Sequence, residues 1–230
     1  MNDRSFMNRR IDLVKLVNAP KPPAAKGKRT PDKHRAILDA AVKIFARKGF
    51  FQARVSEIAK EAGVADGTVY IYFKGKDDLL ISIFEEKMEE VLARFRQAVA
   101  READARSRFR RLIHMHLAEF QAYPELAAVF QVELRQSSRF MRQYKNVQLR
   151  QYLELIGEVV EAGCREGVFR EDIPSGLTKR FVFGALDEAV STWVLAGKSY
   201  DLVALADPLV ELFFNGIRRS PYQPRQKDEG

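Results

Sequence analysis

Residues 55–74, VSEIAKEAGVADGTVYIYFK, hold a dense set of side chains able to grip a polyanion. Ser56, Thr68, Tyr70, Tyr72 and Lys74, with Lys76 just beyond, are donors interleaved with apolar Ile58, Val64, Val69 and Phe73. Two short helices that cross closely need a small residue at the crossing and a tight turn after it. Ala59 and Gly63, four residues on, supply both. This small-then-Gly spacing, with apolar inner positions, is the helix-turn-helix pattern, whose second helix enters the major groove of DNA. As a bare pattern, an αα-hairpin with a Gly turn satisfies it too. Asp66 is expected to cap the second helix in preference to reading a base, because DNA repels a carboxylate that does not accept from cytosine N4.

Catalytic and metal chemistry find weaker support. His114 and His116 are two apart, on different sides of a helix, which argues against a shared metal site. The single cysteine, Cys164, excludes an internal disulfide framework and a cysteine-based zinc module, and points to a reducing compartment. With no histidine near it in sequence, it is expected to be a buried thiol. There is no Gly-rich phosphate loop. The expectation is no catalytic residue, no metal and no cofactor.

The charge is unevenly placed. Net charge is +8 over 230 residues, yet residues 1–35 hold ten Lys and Arg against three Asp, and the remainder is nearly neutral. A neutral body with a basic arm fits nucleic acid or an anionic membrane surface. No apolar run approaches the ~20 residues of a transmembrane helix, and the first twenty residues lack a signal-peptide pattern. A cytoplasmic protein without a membrane partner is expected.

The elements that must position these groups are helices. Composition is globular, 46% hydrophobic with mean hydropathy −0.30. Residues 19–28, APKPPAAKGK, form a linker, so 1–29 are expected as a disordered basic arm. Thr30-Pro31 resembles an N-cap with Pro at the first helical position, and Ile37, Leu38, Ala41, Ile44 and Phe45 repeat at three and four until Gly49. Short helices follow over about 55–62 and 66–73. Longer ones are expected over about 76–103, from before Phe109 to Ala122, and over 124–135, 138–166, 174–196 and 201–219, where Asp201 caps the last. The fold class is all-α with about nine helices. An N-terminal three-helix helix-turn-helix domain spans 30–90, with the motif at about 54–73. A ligand-binding and dimerisation bundle spans 91–219, and 220–230 form a flexible tail.

The stretch RAILDAAVKIFARKGF followed by VSEIAKEAGVADGTVYIYFKGKDDLLISIF resembles the DNA-binding domain of the TetR family of bacterial repressors. The resemblance runs without a gap from about Thr30 to Met88. It implies that Val55 and Ser56 bind phosphate at a helix start, that Gly67 and Thr68 approach the DNA, and that Tyr70 faces the groove. Tyr72 and Lys76 match phosphate-contacting positions, while Lys28, Arg29 and Lys33 flank the first helix and can reach a minor groove or phosphates. On a helix of two turns, Val69 and Phe73 fill the inner face, so both tyrosines are expected outward. The partner is a palindromic double-stranded operator, bound by a homodimer formed through the last two helices. Those helices are apolar nearly all round.

VELRQSS, FVFGALDEAVSTWV and YDLVALADPLVELFFNGI resemble one subgroup, the regulators of fatty-acid degradation released from DNA by long-chain acyl-coenzyme A. That implies a bundle pocket lined by side chains such as Phe130, Phe183 and Trp193, with Arg106 and Arg110 at its mouth for the coenzyme phosphates. Arg135 and Asp187 are charges in apolar helices and must pair or bind something. Arg135 can pair with Asp187 or Glu188, or contact the ligand. The alternative is a TetR-type regulator that senses another apolar small molecule, as in efflux control.

Overall fold

The computed structural model describes residues 31–133 and 147–217. Among them are nine α-helices and no β-strand: α1 Pro31–Lys48, α2 Val55–Glu61, α3 Asp66–Tyr72, α4 Lys76–Ala100, α5 Ala105–Ala122, α6 Pro124–Ala128, α7 Val147–Arg165, α8 Ser175–Leu195 and α9 Ala206–Ile217. The arm, the tail, and with them Lys28, Arg29 and Arg135, lie outside the described residues.

Apolar spacing divides the chain into two cores. α1, α2 and α3 bury Ile37, Phe45, Ile58, Ala59, Val69 and Phe73 together. α5, α7, α8 and α9 bury Phe109, Leu112, Ile156, Val182, Trp193 and Phe213. α4 crosses both, since 25 residues extend about 37 Å. Its first half gives Leu79, Leu80, Ile83 and Phe84 to the N-terminal core, and its second half gives Val91, Leu92, Phe95 and Val99 to the bundle.

The segment after Pro124 departs from the expected regular helix. α6 lasts five residues and passes into a π-helical turn at Val129–Glu133. Neighbouring side chains in that turn meet different partners. Val129 and Phe130 are buried with α1 and α4, while the Gln131 side chain reaches α8. Leu126, Val129 and Phe130 thus pack into the core built by α1–α3 and the first half of α4.

Other local differences have simple causes. Asp66 does not cap α3: Ala65 is the N-cap, and Asp66 is exposed in the first turn, where its charge favours the helix dipole. Asp201 does not cap the last helix either: Leu202 is the N-cap of a 3₁₀ turn at Val203–Leu205 that precedes α9, and Asp201, one residue earlier, accepts from the Val203 amide at 3.1 Å. Cys164 is half-buried, and its thiol donates to the Arg170 carbonyl at 3.4 Å. At the end of α7, Gly163 leaves room for the Phe169 ring, which a Cβ there would meet at 2.1 Å. No described helix is long and apolar enough to cross a membrane.

Candidate DNA interface and effector bundle

α2 and α3 have seven residues each, too few to be stable alone, and α1 positions them. Gly63 adopts φ 68°, the left-handed region in which the chain reverses directly after α2. The Val64 amide donates to the Ala59 carbonyl at 3.0 Å across that turn. A Cβ at Gly63 would meet nothing within 4 Å, so the backbone angle alone demands glycine. Outside, ion pairs hold α2 to α1. Lys48 donates to Glu57 Oε1 at 2.6 Å, the Arg54 amide donates to Glu57 Oε2 at 3.1 Å, and Lys43 and Arg47 each stand 3.5 Å from Glu61. The Lys48 bond, then the Arg54 amide, hold the Glu57 carboxyl below its ordinary pKa.

The described residues among the expected DNA contacts differ in exposure. Lys33, Ser56, Gly67 and Tyr70 are exposed, and Tyr70 is 59% accessible. Val55 and Thr68 are half-buried. Gly67 has open space where a side chain would stand, at the start of α3. Tyr72 is not outward like Tyr70. It is half-buried, with its ring 5.9 Å from that of His34 on α1. Lys76 is also tied inward, because its ammonium donates to the carbonyls of Phe50 (2.8 Å) and Phe51 (3.0 Å) and sits over the Phe50 ring. One of its three N–H groups is left for an outside acceptor.

In the bundle, Phe130 is buried against Phe84 and Phe120, with ring centroids 5.1 and 6.3 Å away. Phe183 meets the Tyr152 ring edge-on. Trp193 is buried and donates to the Tyr200 carbonyl at 2.8 Å, closing the turn after α8. Asp187, one turn beyond Phe183, accepts from Gln131 Nε2 at 3.0 Å, and Gln131 Oε1 accepts from the Ser191 hydroxyl at 2.9 Å. The structure thus brings Phe130 and Asp187 to the junction of α8 with the π turn, and Phe183 onto Tyr152 in the bundle. It does not bring Arg106 and Arg110 to that junction. Arg110 pairs with Asp207 at 2.8 Å, and Arg106 lies over the Phe214 ring, 4.0 Å from Glu211. Both tie α5 to α9.

Sequence reasoning missed the pairing of His116 with Tyr152. His116 Nδ1 lies 2.7 Å from the Tyr152 hydroxyl with the rings stacked, both residues buried between α5 and α7. Burial lowers the imidazole to about 4, against an opposing pull from Asp187, so it is neutral at physiological pH. Burial also pushes the Tyr152 phenol up, which keeps it protonated. The signal was present: Phe109, Leu112, Ile113, His116, Leu117 and Phe120 follow one helical phase, so His116 lies on the buried face. His114, on another face, meets Asp207 at 2.7 Å and holds that carboxyl below its usual pKa.

A helix-turn-helix unit linked by α4 to an apolar helical bundle is the architecture of a DNA-binding regulator. Residues 37–83 match the bacterial regulatory proteins of the tetR family, and residues 84–216 match the YsiA-like protein C-terminal region. The chain belongs to the TetR family, and it is a transcriptional regulator rather than an enzyme. Within that family it is 41% identical, over 185 residues, to the fatty acid metabolism regulator protein of Bacillus subtilis, spanning 80% of this chain and 95% of the relative. The solved fatty acid degradation regulator FadR of Bacillus halodurans is similar at TM-score 0.78 and 41% identity, covering 84% of this chain and 100% of the other. FadR of B. subtilis, solved in complex with stearoyl-CoA, is similar at TM-score 0.76 and 40% identity, covering 80% and 100% respectively.

Proposed function

We propose that this chain is a cytoplasmic repressor of fatty-acid-degradation genes, bound to a palindromic operator as a homodimer and released by long-chain acyl-coenzyme A. The observation that carries this reading is the π turn at Val129–Glu133. It packs Phe130 against Phe84 of the N-terminal core and bonds Gln131 to Asp187 and Ser191 on α8. A ligand that displaces α8 or Phe183 moves Gln131, and with it the segment buried against α1 and α4. The recognition helix, held on α1, then leaves its register. Likeness to a regulator solved with stearoyl-CoA supports the choice of effector.

On the DNA side, Tyr70 reads or packs on bases, Gly67 and Thr68 let α3 approach the groove, and Val55, Ser56, Tyr72 and Lys76 hold phosphates. Lys28, Arg29 and Lys33 extend the grip. The dimer face is the stripe Leu177, Phe181, Gly184 and Leu195 on α8, with Leu212 and Gly216 on α9. The four large apolar residues are exposed in one protomer, and both glycines have open space above them. Arg106 and Arg110 serve the coenzyme phosphates only by exchanging their α9 carboxylates for them. A gel-shift titration with acyl-CoA of 8 to 18 carbons tests the function. Release that steepens with chain length is expected, and equal release by free coenzyme A contradicts it.

A further inference from the structure

The bundle core holds one buried polar group without a partner. His116 Nε2 is a fully buried side-chain nitrogen with no hydrogen-bond partner, the sole such case among the described residues. Its other nitrogen, Nδ1, faces the Tyr152 hydroxyl at 2.7 Å. The protonated phenol has one hydrogen to give. If it donates to Nδ1, a single donor, Nε2–H, is left over. If Nδ1–H donates to the phenol instead, both the phenolic hydrogen and Nε2 are stranded. Buried polar groups are rarely left unmatched, so the first arrangement is favoured, with Nε2–H the donor.

A donor in this position selects what enters. Its surroundings are Phe120, 5.1 Å from the imidazole by ring centroids, and Tyr152, which in turn touches Phe183. The neutral ring cannot counter an anion, and Asp187 nearby repels one. The matching acceptor is an uncharged oxygen carried on an apolar chain. We propose that His116 Nε2–H donates to the carbonyl oxygen of an acyl thioester, with Tyr152 orienting the ring, so that the site distinguishes acyl-coenzyme A from other long-chain ligands. This rests on the acyl-coenzyme A reading above, and it fixes how deep the ligand's one internal polar atom lies. Arg106 and Arg110 stand about 15 and 9 Å from His116 along α5.

The probes are stearoyl-CoA and its thioether analogue S-octadecyl-CoA, in which CH₂ replaces the carbonyl. Binding of each is measured by calorimetry to the full-length protein and to the double variant His116→Leu/Tyr152→Phe, which removes both polar groups and leaves neither stranded. The wild-type protein is expected to bind the thioester about tenfold more tightly, as one buried hydrogen bond to an otherwise unmatched group warrants. In the double variant the two probes should bind alike. A thermal melt confirms that the variant folds. If it does not, Tyr152→Phe alone, which frees Nδ1 but keeps Nε2, should lower the preference by misorienting the ring. Equal wild-type binding of the two probes overturns this inference alone. Failure of both probes to bind overturns the acyl-coenzyme A reading together with it, and a preference that survives in the double variant assigns the carbonyl to another donor.

Discussion

Phe181 should decide whether the exposed stripe on α8 joins two copies. The side chain is 63% accessible in one protomer and meets Phe213 of α9 edge-on at 5.8 Å, so it is held in place yet largely uncovered. A phenylalanine buries about 200 Å² when fully covered, which leaves about 125 Å² for a partner to bury. At 25 cal/mol per Å² that is about 3 kcal/mol, of which Phe181→Ala forfeits about 2. A two-fold interface loses it twice, so the dimer should weaken by about 4 kcal/mol, or about 10³ in dissociation constant. Sedimentation velocity across nanomolar to micromolar protein measures this, with circular dichroism as a check on the fold. The isolated protomer loses little, because the deleted surface faces solvent there. An Ala variant that stays dimeric at nanomolar concentration would refute the assignment of this face.

Three further outcomes follow from the geometry. Tyr70→Ala should lower operator affinity by roughly 1–3 kcal/mol without shifting the melting curve, because the ring is exposed; equal affinity in fluorescence anisotropy would exclude it from the interface. Gly163→Ala should destabilise by about 1–3 kcal/mol, since its Cβ would fall 2.1 Å from the buried Phe169 ring, and adding Phe169→Leu should cost less than the two changes summed; an unshifted melt would contradict the overlap. His116 is lowered from 6.5 to about 4 by burial, so the unfolded chain binds a proton that the folded one refuses. Its contribution is complete above pH 6.5 and is lost as pH falls from there through 4, by about 3 kcal/mol. The His116→Leu/Tyr152→Phe protein should show a shallower loss in that window, and an identical pH profile would argue against a neutral buried imidazole.

Helix ends in both halves were legible because local rules fix them. Gly49, Gly63, Gly167 and Gly197 all take positive φ just past helix ends, where the sequence alone placed stops. Ala59 and Val69 fall inward for the reason that spacing suggested. The junction was not legible, because no period announces a π turn, in which Phe130 packs into the N-terminal core while Gln131 bonds to α8. Nor does sequence reveal that Lys76 caps the carbonyls of Phe50 and Phe51, which depends on a loop folding back 25 residues away. Tyr72 failed as an outward residue because His34 on another helix covers it. Charge alone made Arg106 and Arg110 look available, whereas Asp207 and Glu211 on the last helix engage them.

The central claim is that a long acyl chain in the bundle loosens the grip of α3 on DNA. Its most direct test is operator affinity measured against stearoyl-CoA concentration, for the wild-type protein and for Gln131→Ala, which cuts the link to Asp187 and Ser191. The wild-type complex should weaken on saturation by a coupling of about 1–3 kcal/mol. Gln131→Ala should still bind stearoyl-CoA while releasing DNA less. Unchanged operator affinity in the wild-type protein at saturating stearoyl-CoA would contradict the account.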